Sequence, residues 1–343
     1  MIEDSLHPTR PFRPEKGKPI HQILDEMRYI SFQGRNLGTV YDLWKRMLSD
    51  DVIIFMGLAG AMLAGGMREI VSFLIRERYI DCLVSTGANL FHDIYETRGG
   101  SHYLGTPNAD DVALHKKGLD RVYDTYASDK GFIEIDRYLI DFTMELKRDR
   151  PMTTREYFYR LGEKLAGEAR RDGILTTAFK ANVPIYCPAI GDSSVGIALS
   201  IDDETLHFPF AVVADVRETA LLASCMKRSG VVYIGGGTPK NFIQQTEVTA
   251  THLKIANTKG HYYAIQIITD SPQWGGLSGC TFEEATSWGK ISYDARKVTL
   301  HCDATVVLPI LSQALASGCE ELVRKRVKPT FGLSEALEIH PGT

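Results

Sequence analysis

The sequence has no CxxC pair, no HxH or HExxH motif, no long apolar run and no excess of basic charge. Six cysteines (Cys82, Cys187, Cys225, Cys280, Cys302 and Cys319) are scattered over 343 residues. Without paired spacing they form neither a disulfide framework nor a zinc site, and they read as reduced, mostly buried thiols of a cytoplasmic protein. Ten histidines lack metal-ligand spacing, so no structural metal is expected. No apolar stretch approaches the roughly 18 residues that span a bilayer, so no membrane partner is expected. The longest, such as residues 208–214, have the length of a buried strand. With 39 Lys+Arg against 43 Asp+Glu the formal charge is −4. That balance argues against nucleic acid as a partner, which calls for a basic stripe, and leaves a small cation open as a substrate.

No internal repeat, low-complexity tract or Pro/Gly/Ser linker divides the chain. Residues 1–20 read as an irregular arm, because Pro8, Pro11, Pro14 and Pro19 block regular structure there. The segment is polar, unlike a signal or transit peptide. Apolar spacing predicts a helix over 36–48, then a strand over 52–56, a glycine-rich turn from Gly57 to Ala61, a helix through Leu74 and a strand over 82–85. This is one βαβ unit. Residues 100–180 read as mainly helical, clearest over 130–146 and 154–168. Further strands are predicted over 184–187, 210–215, 231–234, 262–268 and 298–302, alternating with helices. Near-continuous apolar strands between helices imply an α/β fold: a large, Rossmann-like, doubly wound, mostly parallel sheet with helices on both faces. Residues 21–330 form one domain in this reading, and 331–343 a C-terminal tail.

Ligands in such folds bind beyond the C-terminal ends of the strands. The residues there are small and polar: Gly57 to Gly60, Ser85 to Ala88, Gly191 to Ser194, Gly235 to Gly237, Thr269-Asp270 and Asp303-Ala304. Glycines let backbone amides approach a phosphate, so an anionic dinucleotide is the expected cofactor; alternatively they serve tight turns alone. Asp192, Asp270 and Asp303 can accept hydrogen bonds from ribose hydroxyls, or cap the following helices.

The segment 281–291, TFEEATSWGKI, concentrates chemistry. With Thr281 as a cap, Glu284 and Trp288 fall at i and i+4, and Lys290 lies just past the helix. A carboxylate and an indole suit an alkylammonium ligand. A desolvated lysine beside them can attack an imine carbon. The alternative is an amphipathic helix with a buried Trp and a solvated Lys.

Here the sequence resembles the deoxyhypusine synthase family, whose SWGK segment carries a lysine nucleophile matched by Ser287-Trp288-Gly289-Lys290. The resemblance runs from about Val52 to Leu315. It includes Gly57, Met67-Arg68-Glu69, Ser85-Thr86, Pro188-Ala189, Gly235-Gly236-Gly237 with Lys240, Glu283-Glu284-Ala285 and Asp303-Ala304. It implies an NAD-binding Rossmann-like domain, assembled as a homotetramer with sites at subunit interfaces. It also implies an aminobutyl-type transfer from an amine donor to an amine acceptor through an imine on Lys290. By position, Lys290, Glu284 and Trp288 match catalytic residues. Thr86, Asp192, Ser194, Gly235, Gly236, Thr269, Asp303 and Ala304 match cofactor positions. Asn241, Gly275 and His92 match the substrate side.

The chain also departs from the family pattern. Ile197 and Leu277 stand where the family has amine-binding Asp residues, Trp274 stands at a cofactor-side Asp, Asn241 at a substrate His, His92 at a Glu, and Gly60-Ala61 at Ser-Asn. An aliphatic side chain cannot pair an ammonium. The expected function is therefore a lysine-imine transferase that does not make deoxyhypusine itself, with a homospermidine synthase-like enzyme or a catalytically silent NAD-binding scaffold as alternatives.

Overall fold

A computed structural model describes residues 8–256, 260–275 and 280–342. Its centre is a six-stranded, all-parallel sheet: β1 (Val52–Leu58), β2 (Cys82–Ser85), β6 (Ile185–Tyr186), β7 (Arg228–Ile234), β8 (His261–Ile268) and β9 (Ile291–His301). The spatial order is β6-β2-β1-β7-β8-β9. Counted among these six in chain order, that is 3-2-1-4-5-6, the order of dinucleotide-binding sheets, with the reversal between β1 and β7.

Side chains alternate between the faces of a strand, and here both faces are buried. Ile54, Met56, Leu83, Val232 and Ile265 join one apolar core. Ile53, Phe55, Val84, Val231 and Ala264 join the other. This is why β1 reads VIIFMGL, with every residue buried. The first core is covered by the helices Phe32–Leu48 and Ala304–Gly318, which bring Trp44, Met47, Leu311 and Leu315 onto it. On the second, the helices Val212–Ala223 and Gly237–His252 supply Leu222, Ala223 and Ile243.

One expectation is corrected and two are extended. The strand expected over 210–215 is instead the start of the helix Val212–Ala223, and Phe210 makes only an isolated bridge with Met152. Asp215 decides this: from inside the helix its carboxylate accepts Thr154 N at 3.0 Å and Thr154 Oγ1 at 2.7 Å, which ties the helix to Thr154–Glu168. The mainly helical middle also contains an antiparallel sheet of β3 (Tyr103–Leu104), β4 (Leu119–Val122) and β5 (Thr125–Ser128), in the order β3-β5-β4. These strands are short and half-exposed, too short to show a clear period of two. The 331–343 tail carries structure as well. β10 (Thr330–Gly332) pairs with β11 (Glu338–His340), because Phe331 and Leu333 bury themselves in the second core. No helix among the described residues is long and apolar enough to cross a membrane.

A buried ion pair anchors this end of the chain. Arg326 donates to the carboxylate of Asp81 and to Val52 O at 2.9 Å, and Arg78 donates to Asp81 at 2.9 Å. Burial pushes the Asp81 carboxyl up, yet the Arg326 and Arg78 guanidiniums together hold it below its ordinary value.

Candidate active site

A cleft of about 350 Å³ opens over the C-terminal ends of β1, β7, β8 and β9, spanning the reversal between β1 and β7. It gathers Gly60, Gly235, Gly236, Thr269, Asp270, Asp303 and Ala304. Five of the eight expected cofactor positions therefore converge. The glycines here have a reason. Gly235 has φ +75, and a Cβ on it would lie 3.1 Å from the Ala59 side chain, so an L side chain would be both strained and crowded. The helix Gly237–His252 starts at the cleft without a side-chain cap, and its first amides are available to an anion.

Asp303 lines the cleft and also caps the helix Ala304–Gly318: its Oδ1 accepts from Thr305 N at 2.7 Å and Thr305 Oγ1 at 2.6 Å. These bonds hold its carboxyl below the usual range, so it is an anion with its second oxygen free of the cap. Thr86 does not line the cavity. It caps the helix Gly87–Thr97 and donates to Gly60 O at 2.7 Å, which fixes the turn that does. Asp192 and Ser194 lie apart, in the loop and first turn of the helix Ser194–Ile201, where Ser193 is the cap and Asp192 is exposed.

Around Lys290 the local structure is determined by its own sequence. Thr281 and Glu284 close a capping box on the helix Phe282–Ser287, with Thr281 N to Glu284 Oε2 at 2.8 Å and Glu284 N to Thr281 Oγ1 at 3.1 Å. One oxygen of Glu284 is thus spent on the cap. The helix ends at Trp288, Gly289 turns with φ +69, and Lys290 N returns to Ala285 O at 3.0 Å. His261 N then donates to Lys290 O, so the backbone of Lys290 is held by the helix end and by β8.

The Lys290 side chain is 8% exposed, and its Nζ lies 5.4 Å from the Trp288 ring centroid. Among the described residues no carboxylate pairs with it and no hydrogen bond is made by Nζ. Trp288 itself is 69% exposed, not buried as an ordinary amphipathic helix would have it. Lys290 precedes the start of β9, whereas the cleft lies at the other end of that strand, and it does not line the cavity.

Lys240 bridges the two regions, a role that sequence reasoning missed beyond its presence in a matching segment. It is buried on the helix Gly237–His252, and its Nζ donates to Gln266 Oε1 at 3.0 Å and to Cys280 O at 2.6 Å. Gln266 Nε2 donates in turn to Gly235 O at 3.0 Å. Burial lowers the Lys240 pKa to about 8, and the nearby charge of Lys290 acts in the same direction. The available signal was a lysine in register with Ile243, Gln244 and Glu247 on the buried face of its helix.

The substrate-side residues are dispersed. Asn241 is exposed at the start of the second turn of the helix Gly237–His252. Gly275 has φ +69 after the short turn Pro272–Trp274. His92 is nearly buried on the helix Gly87–Thr97. Of the positions that depart from the family pattern, Ile197 is 58% and Trp274 81% exposed, and Leu277 lies outside the described residues.

A protein-family model for deoxyhypusine synthase matches residues 22–315. The chain is similar to "Probable deoxyhypusine synthase 2" of Methanosarcina acetivorans, 46% identical over 328 residues, covering 95% of this chain and 94% of that one. Archaeoglobus fulgidus holds two relatives. "Probable deoxyhypusine synthase 2" is 46% identical, covering 89% of this chain and 99% of the relative; "Probable deoxyhypusine synthase 1" is 36% identical, covering 90% and 97%. The crystal structure of a candidate deoxyhypusine synthase from Entamoeba histolytica superposes with a TM-score of 0.59 at 16% identity, covering 90% of this chain and 96% of that one.

Proposed function

The chain belongs to the deoxyhypusine synthase family, a family of transferases, and on that premise we propose that it moves an aminobutyl-type group between amines through an imine on Lys290. The observation that carries this reading is the placement of Lys290: an amine nearly out of water, beside an exposed indole, with no carboxylate pairing it among the described residues. An amine held that way is engaged by no other group described, and the indole beside it offers a face on which a cationic substrate can stack.

The residues of the cleft fit NAD. The sheet order, the left-handed glycine turn, the uncapped helix start and the Asp303 carboxylate are what a dinucleotide needs. Gly235, Gly236, Thr269, Asp303 and Ala304 would hold it, with Thr86 fixing the Gly60 turn; Asp192 and Ser194, apart from the cleft, belong to the cofactor side by the family resemblance alone. When bound, NAD supplies the hydride acceptor and donor for the amine carbon. Lys290 Nζ attacks the resulting substrate imine, a bond forms from its nitrogen to the carbon, and the diamine leaves with the electron pair of the broken C–N bond. An acceptor amine then displaces Lys290 by the same exchange. Trp288 stacks the amine, and Glu284 offers it the carboxylate oxygen that the capping box leaves unused. Asn241, Gly275 and His92 are assigned to the substrate side by their positions in the family pattern alone. Lys290 and the cleft lie at opposite ends of β9, which supports a site completed between subunits of a homotetramer. Six unpaired cysteines support a reducing, cytoplasmic setting.

The acceptor is a small amine in this reading, and deoxyhypusine is not the product. Ile197 and Leu277 cannot pair the distal ammonium of a long polyamine. The two Archaeoglobus relatives bear the same family name within one organism, and this chain sides with the second. A homospermidine synthase-like activity belongs to the same reading.

The test mixes the protein, NAD and a panel of diamines and polyamines, traps with borohydride, and locates the adduct by mass spectrometry. An aminoalkyl adduct on Lys290, absent in Lys290→Ala, is expected. Turnover by Lys290→Ala overturns the mechanism. Tight NAD binding with no adduct from any amine favours a silent scaffold.

A further inference from the structure

The cleft lies at the C-terminal ends of the strands. A second cavity, of about 470 Å³, lies at the other end of the sheet. It forms where the chain leaves the helix Arg68–Arg76 for β2, and where the helix Ala304–Gly318 gives way to the helix Glu320–Lys325. Phe73 and Tyr79 give it an apolar wall, with ring centroids 5.2 Å apart, and Val323 extends that wall. The amine chemistry makes no use of it.

Arg76, Arg78, Arg324 and Lys328 line the same cavity. Arg76 is spent on its neighbour Glu77, at 3.0 Å. Arg78 holds a left-handed backbone, φ +60, which is costly for a residue with a side chain. Its guanidinium donates to Asp81 at 2.9 Å and to Pro329 O at 2.8 Å. Arg324 and Lys328 make no hydrogen bond or ion pair among the described residues. Glu320, one turn before Arg324 on its helix, is a second carboxylate in the lining and is likewise unpaired.

Cations near helix C-termini ordinarily serve the last carbonyls. Those carbonyls are already taken here. Glu77 N donates to Phe73 O at 3.0 Å, Arg78 N to Ile75 O at 3.0 Å, and Tyr79 N to Leu74 O at 2.9 Å. Leu315 O accepts from Cys319 N at 2.9 Å and from the Tyr79 hydroxyl at 3.0 Å. Capping therefore does not account for Arg324 and Lys328.

The charges do not balance either. Arg78 and Arg326 already share the buried carboxylate of Asp81. Lys328 is a third cation beside them. Burial, then Arg326 and Arg78, hold its pKa below the ordinary 10.5, and Asp81 and Glu77 oppose them only in part. Three cations on one carboxylate leave two positive charges unmatched. Glu77 offsets Arg76, and Glu320 offsets Arg324.

We propose that this cavity binds a phosphate monoester carried on a small apolar body. Arg324 and Lys328 take the phosphate, and Phe73 and Val323 pack on the body. A phosphate monoester carries close to two negative charges near pH 7, which answers the excess. Guanidinium and ammonium donors suit its oxygens. Binding is reversible and changes no covalent bond. The inference is independent of the amine-transfer reading, since the cavity shares no residue with the cleft or with the segment around Lys290.

Calorimetry on the full-length protein with phenyl phosphate, inorganic phosphate and succinate tests this. Phenyl phosphate should bind with a Kd below about 1 mM, equally with and without saturating NAD. Inorganic phosphate, lacking the ring, should bind about tenfold more weakly. Lys328→Gln and Arg324→Gln should each weaken phenyl phosphate about tenfold and leave NAD affinity unchanged. Without ligand, Lys328→Gln should resist urea at least as well as the wild type, because it removes a repelled charge. No saturation by about 10 mM phenyl phosphate, or equal binding to both variants, overturns the site. Displacement by NAD puts the anion in the cleft and overturns it too. Tighter binding of succinate overturns the phosphate assignment. A Lys328→Gln protein less stable than the wild type overturns the charge excess on which the site rests.

Discussion

Lys240 and Gln266 are joined side chain to side chain at 3.0 Å, so a single bond couples the segment ahead of Lys290 to the glycine turn of the cleft. Cutting it leaves Gln266 Oε1 and the Cys280 carbonyl without their donor. Lys240→Met should therefore cost about 1–3 kcal/mol of stability and weaken both NAD binding and Lys290 labelling. The pH dependence has a definite sign. The Lys240 pKa is about 8 when folded against an ordinary 10.5, so the unfolded chain binds more protons between these values. Stability from this group rises with pH from 8 to 10.5. Urea unfolding across that range should show the rise in the wild type and not in the variant.

Gly235→Ala asks an L residue to adopt φ +75 with its Cβ 3.1 Å from Ala59. A stability loss of about 1–2 kcal/mol is expected. NAD affinity, read by calorimetry, should fall at least tenfold because the turn that carries the amides shifts. An unchanged affinity places the dinucleotide elsewhere.

Arg326→Met strands Asp81 with Arg78 as its remaining ion-pair partner. Removing one member of a buried pair typically costs 3–5 kcal/mol, and a loss of about that size is expected in denaturant unfolding. Adding Asp81→Asn to that variant should recover part of it, since the uncompensated charge is then gone. A double variant weaker than the sum of the two single losses rules that account out.

Glu247 shares Ser229 with His261 in a sealed pocket: the Ser229 hydroxyl bonds to Glu247 and lies 2.8 Å from His261 Nδ1, while His261 Nε2 faces Ile243 O at 3.1 Å. Burial raises the Glu247 pKa from 4.5 to about 7. The folded protein binds the extra proton between these values, so this group lowers stability as pH rises from 4.5 to 7. Glu247→Gln should match the wild type near pH 4.5 and exceed it by about 3 kcal/mol above pH 7. Burial lowers His261 to about 4, and its opposing contribution is common to both proteins.

Much of this architecture was legible in the sequence. The apolar runs at 52–56, 82–85 and 262–268 became central strands because both their faces are covered, and the glycine turns at their ends became the cleft. The run at 210–215 was misread because its apolar residues look alike in a strand and in the first turn of a helix; what decides it is the contact of Asp215 with Thr154, which is invisible to periodicity. Thr281 announced its capping box with Glu284, and that same box consumes an oxygen expected to face substrate. Arg324 and Lys328 were silent, since their significance lies in meeting Arg78 across a cavity.

The Asp81–Arg326 pair also bears on how the protein is made. Asp81 lies between β1 and β2, whereas Arg326 follows it by 245 residues and is synthesised later. Until then the carboxylate has only Arg78, so the early unit cannot bury it at full depth. Full burial of the β1–β2 pair therefore waits on a residue made well after it, and nascent chains that stop short of Arg326 carry an unfinished strand pair that chaperones and proteases can recognise.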